Sequence, residues 1–253
     1  MQCKLCGQDR KLIRAHIIPE AFFKRTRSEA DGDAPSMLVS STPGSPAKRT
    51  RIGIYDQEIL CDQCERKFQD CDSYATNLFL DRIRTESYPL YSAGEEVAFV
   101  VKNFDYRLLK FFAISIIWRA AVSKQHYYDL VKLGPYEELA RAAILDGNVG
   151  DSDYFGTFFS KWTAPPEMRD LTNVFMSPFR EKMEGVNLIR FYLGPVVAYI
   201  KTDQRSFPDY FQIAQIRPDS QLVMINRQIE QSKDLIAMRA IAANLKEWRM
   251  PRP

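Results

Sequence analysis

The chain has 253 residues, 45% of them apolar and 12% aromatic, which is the composition of a folded protein with one large core or a small module plus a second core. Its formal charge of +3 is too small to pull the whole molecule onto a polyanion, so any nucleic-acid contact has to come from local patches. No apolar leader follows Met1, and the most apolar run, residues 111–118, falls far short of the ~20 residues a membrane span needs. A reducing, cytoplasmic setting is therefore expected, with no membrane partner and with cysteines free to act as metal ligands.

Two clips, Cys3-Lys4-Leu5-Cys6 and Cys61-Asp62-Gln63-Cys64, frame the N-terminal part. Two residues between cysteines let both sulfurs of a tight turn reach one ion, so Cys3, Cys6, Cys61 and Cys64 can converge on a structural Zn²⁺. The metal would then close the 54 residues between the clips into a loop, and four thiolates with one Zn²⁺ would bring the formal charge to +1. Between the clips, residues 12–18 read as a strand, with Leu12, Arg14 and His16 alternating against Ile13, Ala15 and Ile17 until Pro19 ends it. Residues 28–47, rich in Ser, Pro, Gly and Asp, read as a long mobile loop with one apolar island, Met37-Leu38-Val39. Two identical basic runs bracket that loop, and their Lys24, Arg25, Arg27, Lys48, Arg49 and Arg51 are candidate nucleic-acid contacts, against the plainer reading of solvated surface. Residues 51–55 and 58–60 resume extended character. Residues 65–84 then read as a helix, with Phe68, Tyr74, Ala75, Leu78, Phe79 and Ile83 at near-helical spacing and Cys71 as a small helical hydrophobe.

A C-x-x-C pair, a strand ending in His16-Ile17-Ile18-Pro19, a long loop, and a second C-x-x-C followed by Glu65 form an order that resembles the HNH family of nucleases, the treble-clef form of the ββα-metal fold. The resemblance covers residues 1–85. Three positions differ from the family pattern: Ala15 stands where an acidic or imidazole ligand is usual, Asp56 where an Asn is, and Glu65 where a His or Asn is. The resemblance implies a DNA endonuclease, of the kind that serves bacterial restriction or phage defence, in which zinc only positions the helix against the strand. His16 would then be the general base, since a neutral imidazole accepts a proton near pH 7. Glu65 would hold Mg²⁺ or a similar divalent cation through oxygen, with Asp72, seven residues on along the same helix face, as a second carboxylate. Asp56 would either orient His16 or cap a turn. A zinc deaminase is excluded, because His16 is followed by Ile-Ile and no Pro precedes the second clip.

Beyond residue 88 the composition turns cysteine-poor and aromatic-rich. Residues 95–102 read as a strand and 106–122 as a helix apolar on nearly all sides, hence buried. Shorter helices are expected over 127–133, where His126 reads as a surface residue, and over 136–145, followed by a loop at 146–151. Strands follow at 174–179, 187–193, 196–201, 211–216 and 222–225, the second and third joined by Gly194-Pro195 as a hairpin. An amphipathic helix over 228–248 would turn Ile229, Ile236, Ile241, Leu245 and Trp248 inward. The fold class expected is α+β. A zinc-stapled, HNH-like ββα-metal module over 1–87 precedes a mixed helix and antiparallel-sheet domain over 88–253, which would serve targeting, a protein partner or self-association. The competing reading is a non-catalytic, zinc-containing adaptor that binds nucleic acid or protein.

Overall fold

The computed structural model describes residues 1–26, 35–40, 47–165, 168 and 174–236. In chain order come β1 (Ala15–His16), α1 (Glu20–Arg25), β2 (Ser36–Val39), β3 (Lys48–Thr50) and β4 (Tyr55–Asp56). A nearly unbroken helical run follows: α2 (Asp62–Glu65), a 3-10 turn (Arg66–Phe68), α3 (Gln69–Asn77), a π-helical turn (Leu78–Arg82) and α4 (Ile83–Glu86). Next are β5 (Ser87–Ser92), β6 (Glu95–Val101), α5 (Tyr106–Val122), α6 (Tyr136–Asp146), β7 (Thr157–Thr163) and β8 (Phe175–Met176). The described elements end with β9 (Phe179–Met183), β10 (Val186–Leu193), β11 (Val196–Lys201), α7 (Asp209–Gln212) and β12 (Leu222–Gln228).

The fold is mixed α+β around a seven-stranded sheet in the order β5-β6-β12-β7-β11-β10-β9, antiparallel except where β12 runs parallel to β7. Side chains alternate along its strands, so the central strands β12, β7, β11 and β10 feed two cores. Phe159, Ala198, Ile200, Ile189 and Phe191 join the core that holds α5, while their neighbours Phe158, Val197, Tyr199, Leu188 and Tyr192 form a second core on the other face. The first core is continuous from Cys3 and Leu5 through Phe68, Phe112 and Ile116 to Met224. Helix α5 is its axis, packing against α3, α6 and β11. Among the described residues no helix is long and apolar enough to cross a membrane.

Helix α5 lies where its apolar run places it, and β10 and β11 form the expected hairpin, with Gly194 at φ +72° in the turn. The helix expected over 65–84 begins one turn earlier, at Asp62. Several elements differ from the sequence reading. Of residues 12–18 only Ala15–His16 pair as a strand, because Pro19 caps α1 and Leu12 makes a lone bridge to Cys61. The apolar island of the long loop is β2, paired on one side with β3 and on the other with β8, while residues 28–34 and 41–46 lie outside the described residues. The helix over 127–133 reduces to a 3-10 turn at His126–Tyr128. Residues 211–216 are no strand: Pro208 starts the short α7 instead. β7 was not anticipated at all. At the C-terminal end β12 runs on to Gln228, held between β6 and β7, before a 3-10 turn at Ile229–Gln231. Ile229 is buried as expected, Ile236 is 69% exposed, and Ile241, Leu245 and Trp248 lie outside the described residues.

Helix α5 carries two charges into the core, Lys110 and Arg119, each fully buried. Lys110 Nζ donates to the carbonyls of Phe155 at 2.8 Å and Ser152 at 3.4 Å. Burial, and then the nearby Lys201 charge, bring its pKa from the usual 10.5 down to about 7. A folded pKa below the unfolded one means that the unfolded chain holds the proton more tightly, so this lysine disfavours the fold below pH about 7 and the penalty is relieved as pH rises from there towards 10.5. Lys110→Met should remove that dependence. Denaturant unfolding of both proteins near pH ~6 and pH ~9 should find the variant comparatively more stable at the lower pH; a difference independent of pH, or of opposite sign, would refute this.

Candidate functional site

The first clip is a tight turn in which Gly7 N donates to Cys3 O at 2.9 Å and Gly7 takes φ +71°, a conformation glycine adopts without strain. In the second, Cys61 is the N-cap of α2, and Cys64 N and Glu65 N both donate to its carbonyl. Two backbone hydrogen bonds, Lys4 N to Ile59 O at 2.8 Å and Ile13 N to Leu60 O at 2.9 Å, and one to a side chain, Cys61 N to Cys3 Sγ at 3.4 Å, bring the clips together. The four Sγ atoms of Cys3, Cys6, Cys61 and Cys64 lie within 4.8 Å of one another. Tetrahedral coordination at a Zn–S length of 2.3 Å requires sulfurs about 3.8 Å apart, which this cluster can meet with small adjustments. Burial, and then the neighbouring thiols, push the Cys64 thiol far up, whereas a metal among four sulfurs favours the thiolates. The four cysteines could thus bind a metal such as zinc, and they are the single such group of three or more ligands among the described residues. Cys71 stands apart, its thiol directed to Phe68 O at 3.2 Å.

His16 sits in β1 opposite Tyr55 of β4, whose ring meets the imidazole edge-on at 5.8 Å. Its Nε2 is buried without a hydrogen-bond partner among the described residues, and burial lowers its pKa. The Glu20 carboxylate pulls that pKa back up, while Arg119, Lys24 and Arg14 add to the lowering. Glu65, the last residue of α2, likewise has a buried Oε2 with no partner. Burial raises its carboxyl pKa to about 7, with the Arg119 charge opposing and the Asp72 charge reinforcing the rise. Two buried polar atoms without partners are costly unless something absent from the polypeptide satisfies them, and an imidazole nitrogen and a carboxylate oxygen are both suited to water or a cation.

Asp72 is neither exposed nor free. Arg119 reaches across from α5 and takes both of its oxygens, Nη1 to Oδ2 at 2.9 Å and Nη2 to Oδ1 at 2.7 Å. Its role as a second ion ligand is thereby corrected to that of counter-charge for the guanidinium. Arg119 Nη1 also donates to the His16 carbonyl at 2.8 Å, Nε to Ser115 O at 3.3 Å and Nη2 to Ser115 Oγ at 3.0 Å, and the guanidinium lies over the Phe68 ring at 4.6 Å. The His16 backbone, Asp72 and the charge felt by Glu65 therefore meet at one arginine. Asp56 does not join them, although its backbone pairs with Ala15. Its carboxylate accepts from Glu58 N at 2.8 Å and from Ser123 Oγ and Lys124 N at 2.9 Å each, so it caps a turn and ties down the end of α5 instead of orienting His16.

The basic runs divide in two. Lys24 pairs with Glu20 at 2.9 Å and Arg25 pairs with Asp81, whereas Lys48 and Arg49 lie exposed on β3. Arg51 is exposed and engaged in an interaction of its own, and Arg27 lies outside the described residues. His126 is exposed, with Nδ1 3.0 Å from Asp129 Oδ2.

Arg119 and Glu20 were missed by sequence reasoning. For Arg119 a signal existed: a charge on a helix apolar on all sides must find a partner in the interior. Glu20 gave none, being an ordinary acid in the first turn of a six-residue helix. Compared with protein-family models, with curated proteins and with solved structures, the chain matches none of them.

Proposed function

We propose that this chain is a metal-dependent endonuclease of HNH type that hydrolyses DNA phosphodiester bonds. The observation that carries the reading is the pair of buried atoms without partners among the described residues, His16 Nε2 on β1 and Glu65 Oε2 on α2, directly after the second clip. Burial keeps the His16 imidazole neutral at physiological pH, so Nε2 can take the proton of an attacking water. Glu65, directly after Cys64 and with a carboxyl whose pKa burial raises, is the oxygen donor for a divalent cation, which favours its charged form. A cation bound there would supply the positive charge that the phosphate oxygens need as the scissile bond breaks. The exposed Lys48 and Arg49 remain as backbone contacts for DNA. Restriction or phage defence is the setting this reading suggests.

One observation favours the adaptor instead. Ala15 is fully buried and offers no ligand, and Asp72 is committed to Arg119, so neither supplies a second oxygen beside Glu65. Nicking of supercoiled plasmid with Mg²⁺, Mn²⁺ or Ni²⁺ separates the two readings. His16→Ala should slow cutting by about 10²- to 10⁴-fold, the usual worth of a general base, and Glu65→Ala should abolish its dependence on the divalent cation, both at unchanged zinc content. Equal cutting by wild type and both variants would overturn the nuclease reading.

A further inference from the structure

We propose that Arg119 is the positioning residue of this site, setting the His16 imidazole and the Glu65 carboxylate in register through one buried guanidinium. The inference rests on the nuclease reading. Strand β1 is two residues long and pairs through two positions only, so hydrogen bonding to β4 leaves His16 weakly restrained at its carbonyl side. Arg119 supplies that restraint at 2.8 Å. The same guanidinium clamps Asp72 bidentately and lies on Phe68, and these two residues bracket the first turn of α3, which the 3-10 turn Arg66–Phe68 joins to Glu65. All five of its N–H groups are used, two of them on Ser115 of its own helix, so its position is dictated by α5. A planar fork with two carboxylate bonds and a carbonyl bond cannot be reproduced by an ammonium. A helix at residues 106–122, outside the cysteine-framed stretch, therefore completes the site.

Loss of Arg119 alone would strand a buried carboxylate, so the test uses the double variant Asp72→Asn/Arg119→Met, which leaves no orphan charge, together with Arg119→Lys. The chain has two histidines, and in a His126→Gln background the His16 ring is the single imidazole in the proton NMR spectrum. The expected result is one zinc per chain, a KM for plasmid within about twofold of wild type, and a kcat lower by about 10- to 100-fold, the usual worth of a residue that orients a ligand or base. Arg119→Lys should not restore kcat. The His16 ring resonances, single and sharp in wild type without divalent cation, should broaden in the double variant, and Mn²⁺ should relax them less than in wild type. If the double variant keeps kcat and the same Mn²⁺ effect while His16→Ala and Glu65→Ala lose activity, the inference falls and the nuclease reading stands. Loss of zinc, or a change confined to KM, would reduce Arg119 to a structural role and also overturn it. A wild type that neither nicks nor shows Mn²⁺-dependent relaxation of His16 removes both.

Discussion

Removing the metal from the four-cysteine cluster should lower the melting temperature by on the order of 10 °C. The reason lies in what the cluster joins. Cys3 and Cys61 are 58 residues apart, held in the metal-free chain by a few hydrogen bonds and by the end of the large core that contains Leu5, Ile17 and Leu60. By the chain-entropy estimate used for disulphide crosslinks, closing a loop of that length contributes about 4 kcal/mol. For a chain of this size each kcal/mol moves the midpoint by about 2–4 °C. Loss of the metal also leaves thiols crowded at a buried point, where the Cys64 thiol already resists ionisation. Protein purified in a reducing buffer should carry one zinc. A chelator strong enough to take it should shift the melting curve, and Cys61→Ser should reproduce the shift. Cys71→Ser, outside the cluster, should keep both the zinc and most of the stability. Finding no bound metal, or an unchanged midpoint after its removal, would mean that the four sulfurs pack merely as hydrophobes.

The contrast between that cluster and Arg119 explains what the sequence could disclose. Cysteine pairs two apart, and a His-Ile-Ile-Pro at a strand end, announce themselves because the chemistry sits in short windows of fixed spacing. Helix α5 was legible for a related reason: seventeen residues without Gly or Pro and nearly all apolar admit little else. β7 was not, because Thr157–Thr163 is buried on both faces of the sheet, so no alternation marks it and Lys161 and the hydroxyls interrupt its apolar run. Nor was the clamp on His16 and Asp72, whose partners stand 103 and 47 residues away from Arg119 along the chain. The turn-capping of Asp56 depends in the same way on Ser123 and Lys124, which only tertiary packing brings near.

Arg119→Met by itself should destabilise the fold by about 3–5 kcal/mol, the usual cost of breaking a buried ion pair from one side. The guanidinium is fully buried and the Asp72 side chain is 16% exposed, so solvent cannot take over the lost bonds. Most of that cost is the carboxylate left behind, whose pKa is already raised by burial and held back first by Arg119 and then by the Cys71 thiol. Without the arginine, the folded-state pKa of Asp72 rises further above its unfolded value. The folded variant then binds the proton more tightly than the unfolded chain, so its stability should recover as the pH falls through that raised pKa. Denaturant titrations at pH ~5 and pH ~8 should therefore find a smaller deficit against wild type at the lower pH. Asp72→Asn added to Arg119→Met should return much of the loss and cancel the pH dependence of the difference. If the single variant is as stable as wild type, or if its deficit grows on acidification, the pair is not the buried, mutually dependent unit described, and the clamp on His16 loses its anchor.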